Sequence, residues 1–356
     1  MQLERAVGLA AKTTLGIGGP ARWFVGARSE ADVFDAAAHA RQHGLGLHVL
    51  GGGSNLVIAD PGVDGLVLEM SLRGSEWLAG GRVRVAAGEP FDELVRASVE
   101  RGLAGIECLS GIPGRVGATP IQNVGAYGQE VKDTIVSVRA FDLERREVVE
   151  LDRAACEFEY RSSFFKRRAP GRFVVLAVTF DLAPDGAPSV RYPELERELR
   201  SRGAVHPSLA DVRTTVLELR AKKSMLFDPL DENGRSCGSF FVNPVVDEEA
   251  AESLFARVGD ASMPRYPQAD GRVKLSAAWL IEHAGLVKGT RRGAVGLSTR
   301  HSLSIVAHAG AKASDVAEFA RFVRDEVQAR FGVRLEPEPV FWGFSPFAPE
   351  AQPTVA

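Results

Sequence analysis

Two glycine-rich stretches carry the first chemical signal in this sequence. "LHVLGGGSNLVI" (47–58) brings an apolar strand into three consecutive glycines, then Ser54 and Asn55, then apolar residues again. Consecutive glycines can aim several backbone N–H groups at one point, an arrangement that suits a pyrophosphate. "IPGRVGATPIQNVGAYG" (112–128) has glycines at 114, 117, 125 and 128 and the adjacent amides Gln122 and Asn123. Glycine is entropically costly to order, so this density implies a backbone shaped to lie against something flat or charged. Two such cradles point to a long ligand with a diphosphate in its middle and a flat ring at one end, and FAD fits that description. Other nucleotide signatures are weak. "GIGGPA" (16–21) matches GxGxxA in form, but no apolar strand precedes it and Pro20 interrupts it, and no GxxxxGK[ST] occurs.

Composition narrows the class. The 356 residues are 45% hydrophobic and 25% charged, ordinary for a soluble globular protein, and a net charge of −3 makes no electrostatic case for nucleic acid. The seven histidines show no HExxH spacing, and Cys108, Cys156 and Cys237 include no CxxC. No metal site and no disulfide framework are therefore expected, which fits a reducing cytoplasm. The start "MQLERAVGLAAK" lacks a signal-peptide layout, and "FVVLAVTF" (173–180) is too short for a bilayer span and reads as a buried strand.

The elements that must position the cradles alternate. Strands are expected at 22–25, 47–50 and 82–88, with helices at 29–44, capped by Ser29 and stopped by Gly44, and at 91–102. The middle holds strands at 135–143, 147–151 and 173–180, then a Pro/Gly-rich excursion (183–207) read as a mobile loop around a short helix, then a helix over 208–223. The last third offers a strand-like "FFV" (240–242), helices at 275–285 and 314–332, the latter with Val316, Phe319, Val323 and Val327 on one face, and a closing strand, "VRLEPEPVFWGF" (333–344). The expected class is α+β. An FAD-binding region covers 1–222, with subdomains of about 1–70 and 71–222, and a substrate-binding domain with a catalytic C-terminal strand covers 223–356.

Six motifs in fixed order make the reading specific: "TTLGIGGPA", "LGGGSNLVI", "LSGIPGRVGATPIQNVGAYGQEV", "YRSSFFK", "SCGSFFVNP" and "LEPEP". Together they resemble the UDP-N-acetylenolpyruvoylglucosamine reductases, flavoenzymes of peptidoglycan precursor synthesis, over nearly the whole chain. The segment "VRYPELEREL" (190–199) resembles the type I members, which carry a tyrosine loop over the substrate. Two departures stand out: a longer loop at 222–239, and Val242 where some members have lysine. The resemblance implies a vanillyl-alcohol-oxidase-like FAD fold, non-covalent FAD, NADPH as hydride donor and UDP-N-acetyl-3-O-(1-carboxyvinyl)-glucosamine as substrate, in a cytoplasmic monomer that binds neither nucleic acid nor membrane.

The implied reaction reduces an enol ether conjugated to a carboxylate, so charge builds on that carboxylate and the neighbouring carbon must take a proton. The family match assigns Arg161 to hold the carboxylate, Glu336 to share or donate a proton there, and Ser239 to protonate the carbon. Cys237 stays open as a rival donor, since alternate residues of an extended segment share a face. Tyr192 and Lys223 are candidates for the substrate diphosphate, with Tyr127, Asn243 and Lys288 as further substrate contacts. FAD contacts are expected from Gly51, Gly52, Gly53, Ser54, Asn55, Ser110, Gly111, Ile112, Gly114, Gly117, Ala118 and Asn123. An FAD oxidase of the same fold is the main alternative, although such enzymes often tether flavin through a histidine or cysteine, and here His48 lies only upstream of the cradle. A non-catalytic nucleotide-binding module would have no need of Arg161, Ser239 and Glu336 together.

Overall fold

A computed structural model of the chain describes residues 1–228 and 230–344. The first sheet has four strands in the order Glu4–Gly8, Pro20–Ala27, Val63–Met70, Gly46–Leu50. Its inner strand Val63–Met70 runs parallel to both neighbours. A parallel pair needs a crossover, and the helix Glu30–Gln42 supplies one between Pro20–Ala27 and Gly46–Leu50. Ser29 caps this helix in a reciprocal box with Asp32, as its position in the sequence implied. "GIGGPA" runs into the strand Pro20–Ala27, not into a helix.

The second sheet is antiparallel, in the order Glu147–Asp152, Ile135–Asp142, Phe173–Asp181, Arg82–Ala86, Ser75–Trp77. Its apolar face shares one core with the first sheet. Leu66 and Leu68 pack there with Val83, Val138 and Val178, together with Phe91 and Val95 of the helix Phe91–Glu100.

A separate core forms around a third sheet, in the order Ser236–Ser239, Ser304–Ala307, Val295–Leu297, Arg291–Arg292. The helix Ala313–Phe331 buries Val316, Phe319, Val323 and Val327 against it, the face expected from their spacing. Leu15, Ile17 and Val57 from the N-terminal region join this core. The closing strand is shorter than expected. Only Val340–Trp342 is strand, and it pairs in parallel with Leu56–Ile58, directly after the first glycine cradle. Likewise "FFV" follows the strand Ser236–Ser239 and does not form one, apart from an isolated bridge between Phe241 and Pro337. The strand Val340–Trp342 therefore returns to the first cradle.

Candidate active site

The two cradles face each other across one wall of a cavity of about 1560 Å³. One small-molecule site typically occupies about 300–1,000 Å³, so this volume has room for a dinucleotide cofactor and a sugar nucleotide together. A Cβ on Gly52 would lie 2.6 Å from Gly114 Cα, a distance that no side chain tolerates. The loops therefore touch backbone to backbone, and only glycine allows it. Ser54 Oγ spans the same junction to the Pro113 carbonyl at 3.4 Å. The amides of Gly52, Gly53 and Ser54 donate to no group among the described residues, although their loop lines the cavity. Unsatisfied amides on a glycine turn are what an anionic diphosphate requires. These residues fit FAD.

Gly51, Gly52, Gly53, Ser54, Asn55, Ile112, Gly114, Gly117 and Ala118 all line the cavity, as expected of FAD contacts. Three others do not. Ser110 is buried, and its hydroxyl donates to the Glu107 carbonyl at 2.6 Å. The Gly111 amide is spent on Asp92 Oδ1 at 2.6 Å. Asn123 is also buried; its Nδ2 donates to Glu130 Oε2 and the Glu159 carbonyl while its Oδ1 accepts from the Lys132 amide. Its neighbour Gln122 takes the place expected for it on the cavity wall. The paired amides were the signal, but which one pointed inward depended on the turn.

Arg161 enters the cavity from a backbone position at φ +53°, uncommon for a residue with a side chain. Its Nη2 donates to the Gly125 carbonyl at 2.8 Å, which ties it to the second cradle. Its Nε lies 3.4 Å from a glutamate carboxylate, and that glutamate is Glu338, not Glu336. Glu336 also borders the cavity, but it is exposed, with its carboxylate 3.5 Å from Arg334. The segment runs beside residues 240–242: the Val242 amide donates to the Glu336 carbonyl and the Glu338 amide to the Phe240 carbonyl. Two residues of extended chain cover about 7 Å, enough to leave Glu336 at the rim while Glu338 reaches Arg161. Gln122 Nε2 also donates to Glu338 Oε1 at 3.1 Å, and Asn55 Nδ2 donates to the Glu338 carbonyl at 3.2 Å. Both cradles thus hold Glu338, the second by its carboxylate and the first by its backbone carbonyl.

Ser239 and Cys237 both line the cavity, but Cys237 also packs in the core of the third sheet, with its thiol directed at the Leu56 carbonyl at 3.5 Å. Gly238 separates them at φ +69°, and the ladder slips register between Ser236 and Ser239. The shared face expected for alternate residues is lost at this break. Burial pushes the Cys237 thiol up to about 12.

On the substrate side, Tyr127 and Tyr192 meet edge to face with ring centroids 5.3 Å apart, and Lys223 Nζ donates to Glu194 Oε2 at 2.5 Å. Burial pushes the Tyr127 phenol up to about 12. Asn243 lines the cavity and accepts from the Ala277 amide at 2.9 Å. Lys288 is exposed and outside the cavity lining, on a turn beyond Leu286. Residues not singled out in the sequence complete the site. Tyr160 lies beneath Lys274 at 4.6 Å, and Lys166 donates to the Arg161 carbonyl at 3.2 Å. Burial holds both ammonium groups below the usual lysine range. Lys166 stands in "YRSSFFK" itself, where its basic neighbours Arg167 and Arg168 disguised it as part of a solvated run. His301 lines the same cavity, and burial pushes its imidazole down to about 4.

Comparison with known proteins gives the family. A reductase from Thermobifida fusca (strain YX) named UDP-N-acetylenolpyruvoylglucosamine reductase is 44% identical over 95% of this chain and 98% of its own length. One of the same name from Streptomyces avermitilis is 45% identical over 94% and 93%. The chain belongs to the UDP-N-acetylenolpyruvoylglucosamine reductase family. Its residues 228–342 match the model of that family's C-terminal domain, and residues 21–152 match an FAD binding domain. The crystal structure of the Thermus caldophilus reductase superposes with a TM-score of 0.66 at 28% identity, over 96% of this chain and 99% of that one. The α+β class and the FAD-binding fold expected from the sequence are those observed, and the family is one of FAD-dependent oxidoreductases.

Among the described residues no helix is long and apolar enough to cross a membrane, and no cluster of three histidine, cysteine or acidic side chains is placed to hold a metal ion.

Proposed function

We propose that the chain catalyses the NADPH-dependent reduction of UDP-N-acetyl-3-O-(1-carboxyvinyl)-glucosamine to UDP-N-acetylmuramate, a step of peptidoglycan precursor synthesis, as a cytoplasmic monomer. The observation that carries this reading is the pairing of Arg161 with Glu338 between two glycine cradles, with Ser239 on the same cavity. When bound, FAD supplies the carrier that takes hydride from NADPH and delivers it to the alkene. The loops at 51–55 and 112–118 would hold it without a covalent bond.

Arg161 holds the substrate carboxylate with a planar fork of donors, and the Gly125 carbonyl fixes the angle of that fork. Glu338 takes the role that the family match first assigned to Glu336. It shares a proton with the carboxylate as charge builds there, and Gln122 orients it. Ser239 donates the proton to the carbon. Tyr192, Tyr127, Lys223 and Asn243 receive the sugar nucleotide. In this reading residues 1–222 form the FAD-binding region, from which Arg161, Tyr127 and Tyr192 reach the substrate, and 223–356 form the substrate-binding domain; residues 229 and 345–356 lie outside the described residues.

The test separates the two half-reactions by stopped flow. Glu338→Gln should leave flavin reduction by NADPH near normal and slow reoxidation by the enolpyruvyl substrate by about 10²-fold or more, on the order of 3 kcal/mol for one transition-state partner. Glu336→Gln should behave like wild type. If the two variants exchange these behaviours, the acid is misassigned.

A further inference from the structure

One buried carboxylate behind the cavity wall joins the supports of two tyrosines. Glu107, on the short helix Glu107–Leu109, is 1% exposed and is not part of the cavity lining. Its Oε1 accepts from Gln129 Nε2 at 2.7 Å and from the Ser189 amide at 2.8 Å. Its Oε2 accepts from the Gly105 amide at 2.7 Å. Burying a carboxylate is costly unless donors meet it, and all three partners here are donors. An amide in its place would turn an N–H toward one of them.

The two donors on Oε1 come from different segments. Gln129 is buried and pairs with Ala126 in the hairpin 125–130, whose turn carries Tyr127 and Gly128. Ser189 belongs to the excursion 183–207, three residues before Tyr192. Cys108, the next residue, repeats both ties: its amide donates to Gln129 Oε1 at 2.8 Å, and its thiol to the Ser189 carbonyl at 3.2 Å. The excursion expected to be a mobile loop is therefore fastened at Ser189. Three residues span at most about 10 Å, so fixing Ser189 limits where the Tyr192 ring can go. Beyond that point the chain lies on Gly128, whose Cβ position is 3.5 Å from Arg191 Cβ and 3.7 Å from the Tyr192 nitrogen. The helix Pro193–Ser201 follows, and its Leu195 and Leu199 pack with Cys108.

We propose that Glu107 is a positioning residue for the substrate: by accepting from Gln129 and Ser189 on one oxygen, it sets the edge-to-face contact of Tyr127 with Tyr192 and, through it, the affinity for the sugar nucleotide. This rests on the reading above that these tyrosines receive the sugar nucleotide. A segment ordered before the ligand arrives adds little ordering entropy to the cost of binding, so the anchor acts on affinity and not on the chemical step.

The test is a double-mutant cycle on the holoenzyme. Glu107→Met removes both acceptor oxygens and keeps an unbranched side chain. It is expected to raise the KM for the enolpyruvyl sugar nucleotide by about tenfold or more, with kcat within about threefold and FAD affinity within about twofold. Tyr192→Ala should raise that KM as well, and adding Glu107→Met to it should cost less than about a further twofold, because the anchor then has nothing to position. Effects that multiply in full would show that Glu107 acts independently of Tyr192 and overturn the proposal. So would a normal KM in Glu107→Met beside a raised one in Tyr192→Ala. A normal KM in Tyr192→Ala fails differently, since it removes the substrate reading of the tyrosines. Should Glu107→Met not fold, hydrogen exchange in the wild-type holoenzyme decides: protection of the Ser189 amide before substrate is added supports the anchor, and exchange at the rate of an open loop overturns it.

Discussion

A single dihedral separates Ser239 from Cys237. Both line the cavity, but across Gly238 at φ +69° the Cys237 thiol is directed at the Leu56 carbonyl in the core. Burial also holds the thiol protonated, which makes it a poor nucleophile and a reluctant donor at once. Ser239→Ala is therefore expected to slow substrate-driven flavin reoxidation by roughly 10²–10⁴-fold while NADPH reduces the flavin normally. Cys237→Ala should change the half-reactions little and show instead as a modest loss of thermal stability from the core. A severe reoxidation defect in the cysteine variant, with Ser239→Ala unaffected, would reverse the assignment. Glu336 and Glu338 teach the same lesson about position. Chemically equal and two residues apart, they differ because one meets Arg334 at the rim and the other Arg161 inside.

Element-scale order explains why the cradles work together. The strand Gly46–Leu50 delivers one loop, the helix Phe91–Glu100 and its following turns deliver the other, and Val340–Trp342 closes against Leu56–Ile58 so that Glu338 meets both. The contact between the loops is the sensitive point. Gly52→Ala would drive a Cβ to 2.6 Å from Gly114 Cα, and backbone on both sides leaves nothing flexible to yield. Gly51→Ala would find its nearest neighbour, the Ala118 Cβ, at an ordinary 3.7 Å. The expected result is that Gly52→Ala weakens FAD by at least about tenfold in a fluorescence titration while Gly51→Ala stays within a few fold. Equal losses would mean that the cradle binds through space the ligand needs, not through loop-to-loop contact.

At the scale of the whole molecule, the cavity joins regions that belong to separate cores, and its cations are held under strain of burial. His301 is the clearest gauge. Burial pushes its folded-state pKa down to about 4, with Lys223 and Lys288 adding to the shift, against about 6.5 in an unfolded chain. Between those values the unfolded state takes up a proton that the folded state refuses. Stability is thus complete above pH ~6.5 and is lost as pH falls toward 4. His301→Gln removes that linkage. The melting temperature of wild type relative to His301→Gln should fall as the pH is lowered from 7 to about 4.5. A constant difference across that range would show that His301 titrates normally in the folded protein.

The sequence alone determined the cradles, the order of the motifs and most of the regular elements, because glycine density, capping residues and apolar periodicity are local properties. Ser29 begins its helix as its spacing with Asp32 implied, and the apolar face of Ala313–Phe331 is the one buried. Tertiary structure decided everything that depended on which side of a short segment faces inward. Gln122 rather than Asn123 reaches the cavity, Glu338 rather than Glu336 meets Arg161, and Ser239 parts from Cys237. Each pair lies in a stretch of glycine, proline or irregular backbone, where no period relates a residue's number to its direction.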